Sequence, residues 1–246
     1  MIPYLVSRRR RVPAGAPAGL RARAAAAVAV AAPATALAHG VTEAAQQRLL
    51  NGTLVDVAWV GAEHMLTGYD HLLFLFGILL FLTSVRQVVL FVTAFTLGHT
   101  LTLLFATLHG IAANPYLVDA VIALTVIYKA FENMDGFRRW LNTPSPNLLL
   151  MVFAFGLVHG FGLSTRLQQM TIADDPRLVE KILAFNVGVE LGQIAALVAM
   201  GAVLKLWRDG AEFPRLARAA NLALIVAGAG LFVLQLGHYF AGATPA

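Results

Sequence analysis

Cysteine is absent from all 246 residues. That excludes disulfides, thiolate metal sites and cysteine nucleophiles. Charge is scarce too: Asp, Glu, Lys and Arg make up 13% of the chain, too little for an ordinary soluble domain. The basic excess sits at one end. Six of the 18 Lys and Arg residues (Arg8, Arg9, Arg10, Arg11, Arg21, Arg23) precede residue 24, and all 13 acidic residues follow it. The remainder carries twelve basic groups against thirteen acidic ones, so the formal charge of +5 belongs to a leader and gives no support for nucleic-acid binding. No Walker A pattern occurs, so this chain does not hydrolyse ATP. A His-Glu-x2-His helix motif, which would anchor a zinc hydrolase, is also missing.

What is abundant is apolar. Hydrophobic residues make up 59% of the chain and the mean hydropathy is +0.73, the composition of an integral membrane protein. Met1–Arg23 is basic, with Pro3, Pro13 and Pro17. Ala24–Ala36 is apolar but short of the ~20 residues of a comfortable span, and Ala36-Leu37-Ala38 is a small-x-small site. The pattern predicts a secretory signal cleaved after Ala38, with an uncleaved anchor as the alternative. Cleavage leaves His39 as a new N-terminus whose amine and imidazole are suited to chelate a metal outside; otherwise His39 merely follows the cleavage site. The predicted organisation is a signal peptide at 1–38, an outer segment at 39–53, a transmembrane bundle at 54–240 and a tail at 241–246. Apolar segments at roughly 66–83, 87–109, 116–133, 147–166, 182–206 and 219–240 predict an all-α polytopic bundle of about six transmembrane helices. With the mature N-terminus outside, inner loops carry Arg86, Arg138, Arg139, Lys205, Arg208, Arg215 and Arg218. Outer segments carry Arg48, Arg166, Arg177 and Lys181, in agreement with the positive-inside rule.

Ionisable groups inside apolar segments are costly and mark function by default. Gly61–His71 places His64, Asp70 and His71 at the mouth of the first apolar segment. His64 and His71 are two helical turns apart, on one face of a continuous helix; Gly68 between them permits a break instead. Imidazole with carboxylate suits a divalent transition metal, whereas a structural polar cluster tying helices together is the plainer reading. Phe95-Thr96-Leu97-Gly98-His99 and Phe155-Gly156-Leu157-Val158-His159 share Phe-x-Leu-x-His, 60 residues apart. Both segments run in one direction, as in a parallel repeat; four matched positions support two helices doing similar jobs more firmly than an ancient duplication. Lys129, Glu132 and Asn133 can share a face, as an ion pair or as part of a pathway. Asn186, Glu190 and Gln193 form one stripe, with Gly188 and Gly192 nearly opposite. A charged Glu190 facing lipid costs about 3 kcal/mol, so it should meet a partner, a cation or a water-filled cavity, or be protonated. His109 and Asp119 read as surface residues, and His238 as interfacial.

Five motifs occur in order: Gly-x2-His-x5-Asp-His, Phe-Thr-Leu-Gly-His-Thr-Leu-Thr-Leu, Ala-x7-Phe-Glu-Asn, Phe-Gly-Leu-Val-His-Gly-Phe-Gly and Phe-Asn-Val-Gly-Val-Glu-Leu-Gly-Gln. Together they resemble the HupE/UreJ family of bacterial membrane proteins, regarded as secondary nickel or cobalt permeases, over about residues 54–240. Met65 stands where the better-studied branch has proline, and the Phe-Glu-Asn and Phe-Asn-x-Gly-Val-Glu motifs look closer to a second branch. The resemblance implies a metal pathway lined by His64, Asp70, His71, His99, His159 and Glu190, supported by Glu132, Asn133, Asn186 and Gln193, with His39 as an outer ligand. It implies the bacterial inner membrane, and the charge placement then puts both mature termini on the periplasmic side. The metal is then cargo, Ni²⁺ or Co²⁺ foremost with Zn²⁺ or Mn²⁺ open, and no cofactor is permanently bound. The partners are the metal ion and the lipid bilayer; homo-oligomerisation and metal-using proteins are left open. Three rivals remain. A metal-dependent intramembrane hydrolase would use the same ligands, and a metal-binding accessory protein would not transport. A di-histidine haem protein would use two of His71, His99 and His159 but leaves Asp70 and Glu190 without a role.

Overall fold

The structure, a computed structural model, describes residues 43–82, 84–169 and 175–242, all within one compact unit, His39–Ala246. The expected signal peptide and His39 lie outside the described residues. Among those residues every regular element is a helix: α1 (Glu43–Asn51), α2 (Leu54–Thr67), α3 (Tyr69–Leu79), α4 (Val85–Leu108), α5 (Pro115–Asn133), α6 (Gly136–Trp140), α7 (Leu148–Gln169), α8 (Leu178–Arg208) and α9 (Phe213–Phe240). Helix satisfies each backbone N–H and C=O within its own segment, which hydrocarbon requires.

Four helices, α4, α7, α8 and α9, are each long and apolar enough to cross a membrane. Two of the six expected segments do not meet those terms singly. Helix α5 has 19 residues but carries Asp119, Lys129 and Glu132. The segment expected at 66–83 is divided by Gly68, whose extended backbone (φ −72°, ψ 103°) ends α2 and begins α3. The 11 residues of α3 rise ~16 Å, about half of the hydrocarbon thickness. Residues 54–79 therefore form one broken helix.

Three helix pairs carry most of the packing: α4 with α7, α2 with α8, and α5 with α9. Glycine builds the first two. Gly156 rests on the Phe95 carbonyl and Gly160 on the His99 carbonyl; Gly188 rests on the Ala58 carbonyl and Gly192 on Ala62. Added methyl groups at Gly156, Gly160 or Gly188 would overlap the facing backbone, so these helices touch main chain to main chain. Partner numbers rise together in both pairs, so each is parallel. In α5–α9 they run oppositely: Gly228 meets Ala123 and Ile127, while Asn133 bonds Asn221 at 2.9 Å.

Polar ties close the two ends. Arg208 Nη2 donates to the carbonyls of Leu79 (2.6 Å) and Leu82 (2.9 Å). At the opposite end Lys181 Nζ donates to Leu50 O (2.8 Å) and to Asp175 Oδ2 (2.5 Å), docking α1 against α8. Asp119 corrects a sequence expectation. It is not a surface residue but lies buried, 9% exposed, paired with Arg166 at 3.1 Å. His109 is exposed, and His238 is half-buried beside Tyr116, with ring centroids 5.5 Å apart.

Candidate metal centre

The break at Gly68 builds the site. Gly68 donates its N–H to the His64 carbonyl (3.0 Å), closing α2, and accepts from Leu72 (3.0 Å), opening α3. Along a straight helix His64 and His71 would be separated by ~10 Å of rise. Across the break their ring centroids lie 5.2 Å apart. Asp70 falls in the first turn of α3, where the helix dipole favours a carboxylate. Helix α7, held close to α4 by Gly156 and Gly160, brings His159 to His71, with ring centroids 4.8 Å apart. Asp70, His71 and His159 can each offer one ligand atom, all within 4.8 Å of one another, and all three are buried.

Hydrogen bonds select the tautomers. His159 Nδ1 lies 2.7 Å from the Phe155 carbonyl, which only accepts, so Nδ1 carries the proton and Nε2 the lone pair. That Nε2 is buried and has no hydrogen-bond partner. His71 Nδ1 lies 3.0 Å from Asp70 Oδ1, so the carboxylate orients the ring. On the neighbouring pair, Asn186 Nδ2 donates to Ile182 O (2.8 Å), which turns its Oδ1 toward His99 Nδ1 at 2.7 Å. In His159 and His99 Nδ1 is thus the donor, which leaves Nε2 as the lone-pair nitrogen through which an imidazole binds a metal.

The remaining predicted residues divide. His64 is half-buried, 5.7 Å from the Phe185 ring by centroid, and flanks the group through its contact with His71. His99 is 1% exposed and stacks on Phe95 with centroids 6.3 Å apart. Gln193 accepts from Thr96 Oγ1 at 3.0 Å, so the Asn186 and Gln193 amides both serve α4. Glu190 is half-buried at the edge of that stripe and is not in the Asp70–His71–His159 group. Glu132 is paired with Lys129 at 2.8 Å, and Asn133 donates to Gly77 O (2.8 Å) and Asn221 Oδ1; both lie at the far end of α3. Sequence reasoning passed over Thr96 and Asn221. Thr96 was within reach, one turn before His99 on the same face. Asn221, at the point where α9 turns from its arginine-bearing start to an apolar run, signalled only that some partner was needed.

Just below the cluster the bundle is apolar and close-packed. Phe74 touches Phe95, Phe155 and His159, with ring centroids at 6.1, 5.5 and 6.4 Å. The space among Phe74, Leu75, Val92 and Val152 is about 10 Å³, at the limit for a single water. A hydrated ion does not fit this space without side-chain movement.

A helical bundle with four candidate spans and a buried His/Asp cluster among its helices is the architecture of a multi-pass membrane protein. The chain matches the family model described as HupE / UreJ protein over residues 27–243, and it belongs to that family. No curated protein and no solved structure matches it.

Proposed function

We propose that the protein is a permease that carries a divalent transition-metal cation, Ni²⁺ or Co²⁺ foremost, through the bacterial inner membrane from the periplasmic side. The observation that carries this reading is the convergence of Asp70, His71 and His159 within 4.8 Å, with the lone pair of His159 Nε2 left unpartnered. An Asp/His/His set is borderline-hard and free of thiolate, which suits these ions better than Cu⁺. Three ligands fall short of a full shell, so the ion keeps water or exchanges ligands, as release demands. His64, half-buried beside His71, is the capture ligand, joined by His39 if the leader is cleaved. His99 receives the ion next, and Glu190 adds negative charge near the stripe of Asn186 and Gln193. The metal is cargo, not a resident cofactor. Ligands bind deprotonated, so metal entry releases protons and weakens in acid.

The test is uptake of Ni²⁺, Co²⁺, Zn²⁺ and Mn²⁺ into liposomes holding the purified protein, against the folded double variant His71→Ala, Glu190→Gln. Saturable uptake of one ion, abolished in the variant, is the expected result and names the substrate. Metal retained through purification with no uptake would move the assignment to an intramembrane metalloenzyme or an accessory protein. Neither uptake nor bound metal would leave the histidines as polar glue.

A further inference from the structure

A second polar concavity opens at the other end of α3, away from the His/Asp cluster. It is a cleft of about 280 Å³ between the end of α5, the loop into α6 and the start of α9. Asn133 and Asn221 form its floor, but their amide donors are committed to Gly77 O, Asn221 Oδ1 and Ala217 O. The charge on its walls comes from Arg139, Arg218 and Asp135. Arg139 Nε lies 3.9 Å from Asp135 Oδ2, with both side chains more than half exposed, a separation at which an ion pair contributes little. Among the described residues Arg218 has no ion-pair or hydrogen-bond partner. Phe81, Phe213 and Pro214 supply an apolar wall, and Phe81 is 48% exposed.

We propose that this cleft binds the phosphate headgroup of an anionic phospholipid. Two guanidiniums against one carboxylate select an anion, so the cleft is not an exit for the cation. Depth in the membrane selects a lipid over a soluble anion. The cleft lies at the ends of α3 and α5 and the start of the membrane-crossing α9. The short α6 beside it is anchored by Phe137 on Tyr128 and Phe131, with ring centroids 5.4 and 5.2 Å apart. It turns Trp140 outward, 82% exposed, next to the exposed Arg138 and Arg139. Tryptophan beside arginine at a helix end marks the headgroup level, and basic pockets between helices there recognise anionic headgroups. At ~30 Å³ per water, the volume equals roughly nine waters, room for a phosphoglycerol, while the apolar wall receives the start of an acyl chain. This assignment stands whether or not the protein carries metal.

The experiment counts lipid bound to the full-length protein in neutral detergent by native mass spectrometry, titrating phosphatidylglycerol, phosphatidylcholine or sodium phosphate. Phosphatidylglycerol should bind in preference. Arg139→Gln and Arg218→Gln should each weaken it about 5-fold, and together about 30-fold. Asp135→Asn should tighten it, and Arg215→Gln should leave it unchanged, because Arg215 is 84% exposed and paired with Glu212. Equal binding of the two lipids, or an equal loss in Arg215→Gln, overturns the proposal. Saturation by sodium phosphate without a lipid preference assigns the cleft to a soluble anion and overturns it too. Should the arginine variants not fold, the wild type decides. Its affinity for phosphatidylglycerol alone should fall as salt rises from about 0.05 to about 0.5 M, and a salt-independent affinity refutes the headgroup.

Discussion

His159 keeps one ring nitrogen occupied by the Phe155 carbonyl and the other buried without a partner. Leaving a buried polar atom unsatisfied costs about 1–3 kcal/mol, so the arrangement is a standing expense unless something binds there. Gly68 is the residue that lets the rest of the site approach. Its φ of −72° is open to alanine, so a substitution acts through space rather than through backbone strain. A Cβ at this position would lie 2.6 Å from His71 Nδ1 and 3.2 Å from Asp70 Oδ1. Gly68→Ala should therefore turn the His71–Asp70 pair while the bundle stays folded. We expect Ni²⁺ affinity to fall about 10–100-fold, the usual cost of disturbing the groups that orient a ligand, with helical content unchanged. Calorimetric titration of the detergent-solubilised protein against Ni²⁺ reads this, and an unchanged affinity would mean that the pair does not hold the ion.

The broken helix gains its precision from α8. Gly188 sits on the Ala58 carbonyl and Gly61 on the Phe185 carbonyl, which fixes α2 and hence the half of the site that carries His64. Gly188→Ala should force α2 from α8 and cost about 1–3 kcal/mol, the usual penalty for overpacking. Gly230→Ala in α9 is the matched control, since no atom lies within 4 Å of its would-be Cβ. It should be neutral or stabilise by up to about 1 kcal/mol through helix propensity. Denaturant unfolding in detergent separates the two outcomes. Helices α4 and α7 repeat the close glycine contact, and the Phe-x-Leu-x-His echo falls on this parallel pair. His159 joins the Asp70–His71 group while His99 binds Asn186, so matched sequence positions hold different posts.

At the scale of the whole molecule, polar latches at the two ends hold the apolar bundle together. Asp175, in the loop before α8, has its carboxyl pKa lowered from its ordinary value of 3.8, first by the hydrogen bond from Lys181 and then by the backbone N–H of Arg177. The folded value lies below the unfolded one. The latch therefore contributes fully above that ordinary, unfolded value of 3.8 and is lost as pH falls through the folded value. Thermal denaturation across pH 7 to 3 should show the wild type losing stability below about pH 4. Asp175→Asn should start lower at pH 7 and show a shallower acid limb. A parallel pair of curves would remove Asp175 from the latch.

Hydropathy and charge placement by themselves determined that this is an all-helical membrane bundle, because both are sums over local composition and hydrocarbon admits few other backbone forms. The spacing of His64, Asp70, His71, His99 and His159 also marked where polar chemistry would lie, since such groups are rare in apolar segments. Six apolar runs did not distinguish the four helices that qualify as spans alone from α5 and the broken α2–α3. Only the tertiary structure decided that Gly68 breaks the helix, that His159 rather than His99 or Glu190 meets Asp70 and His71, and that Asp119 is buried with Arg166. Glycine at 68 permits either a straight or a broken path, and the broken one goes with the packing of α2 on α8 and of α3 on α5 and α8. Which histidines meet depends on distances between helices far apart in the chain, set by the glycine contacts that bring one backbone against another.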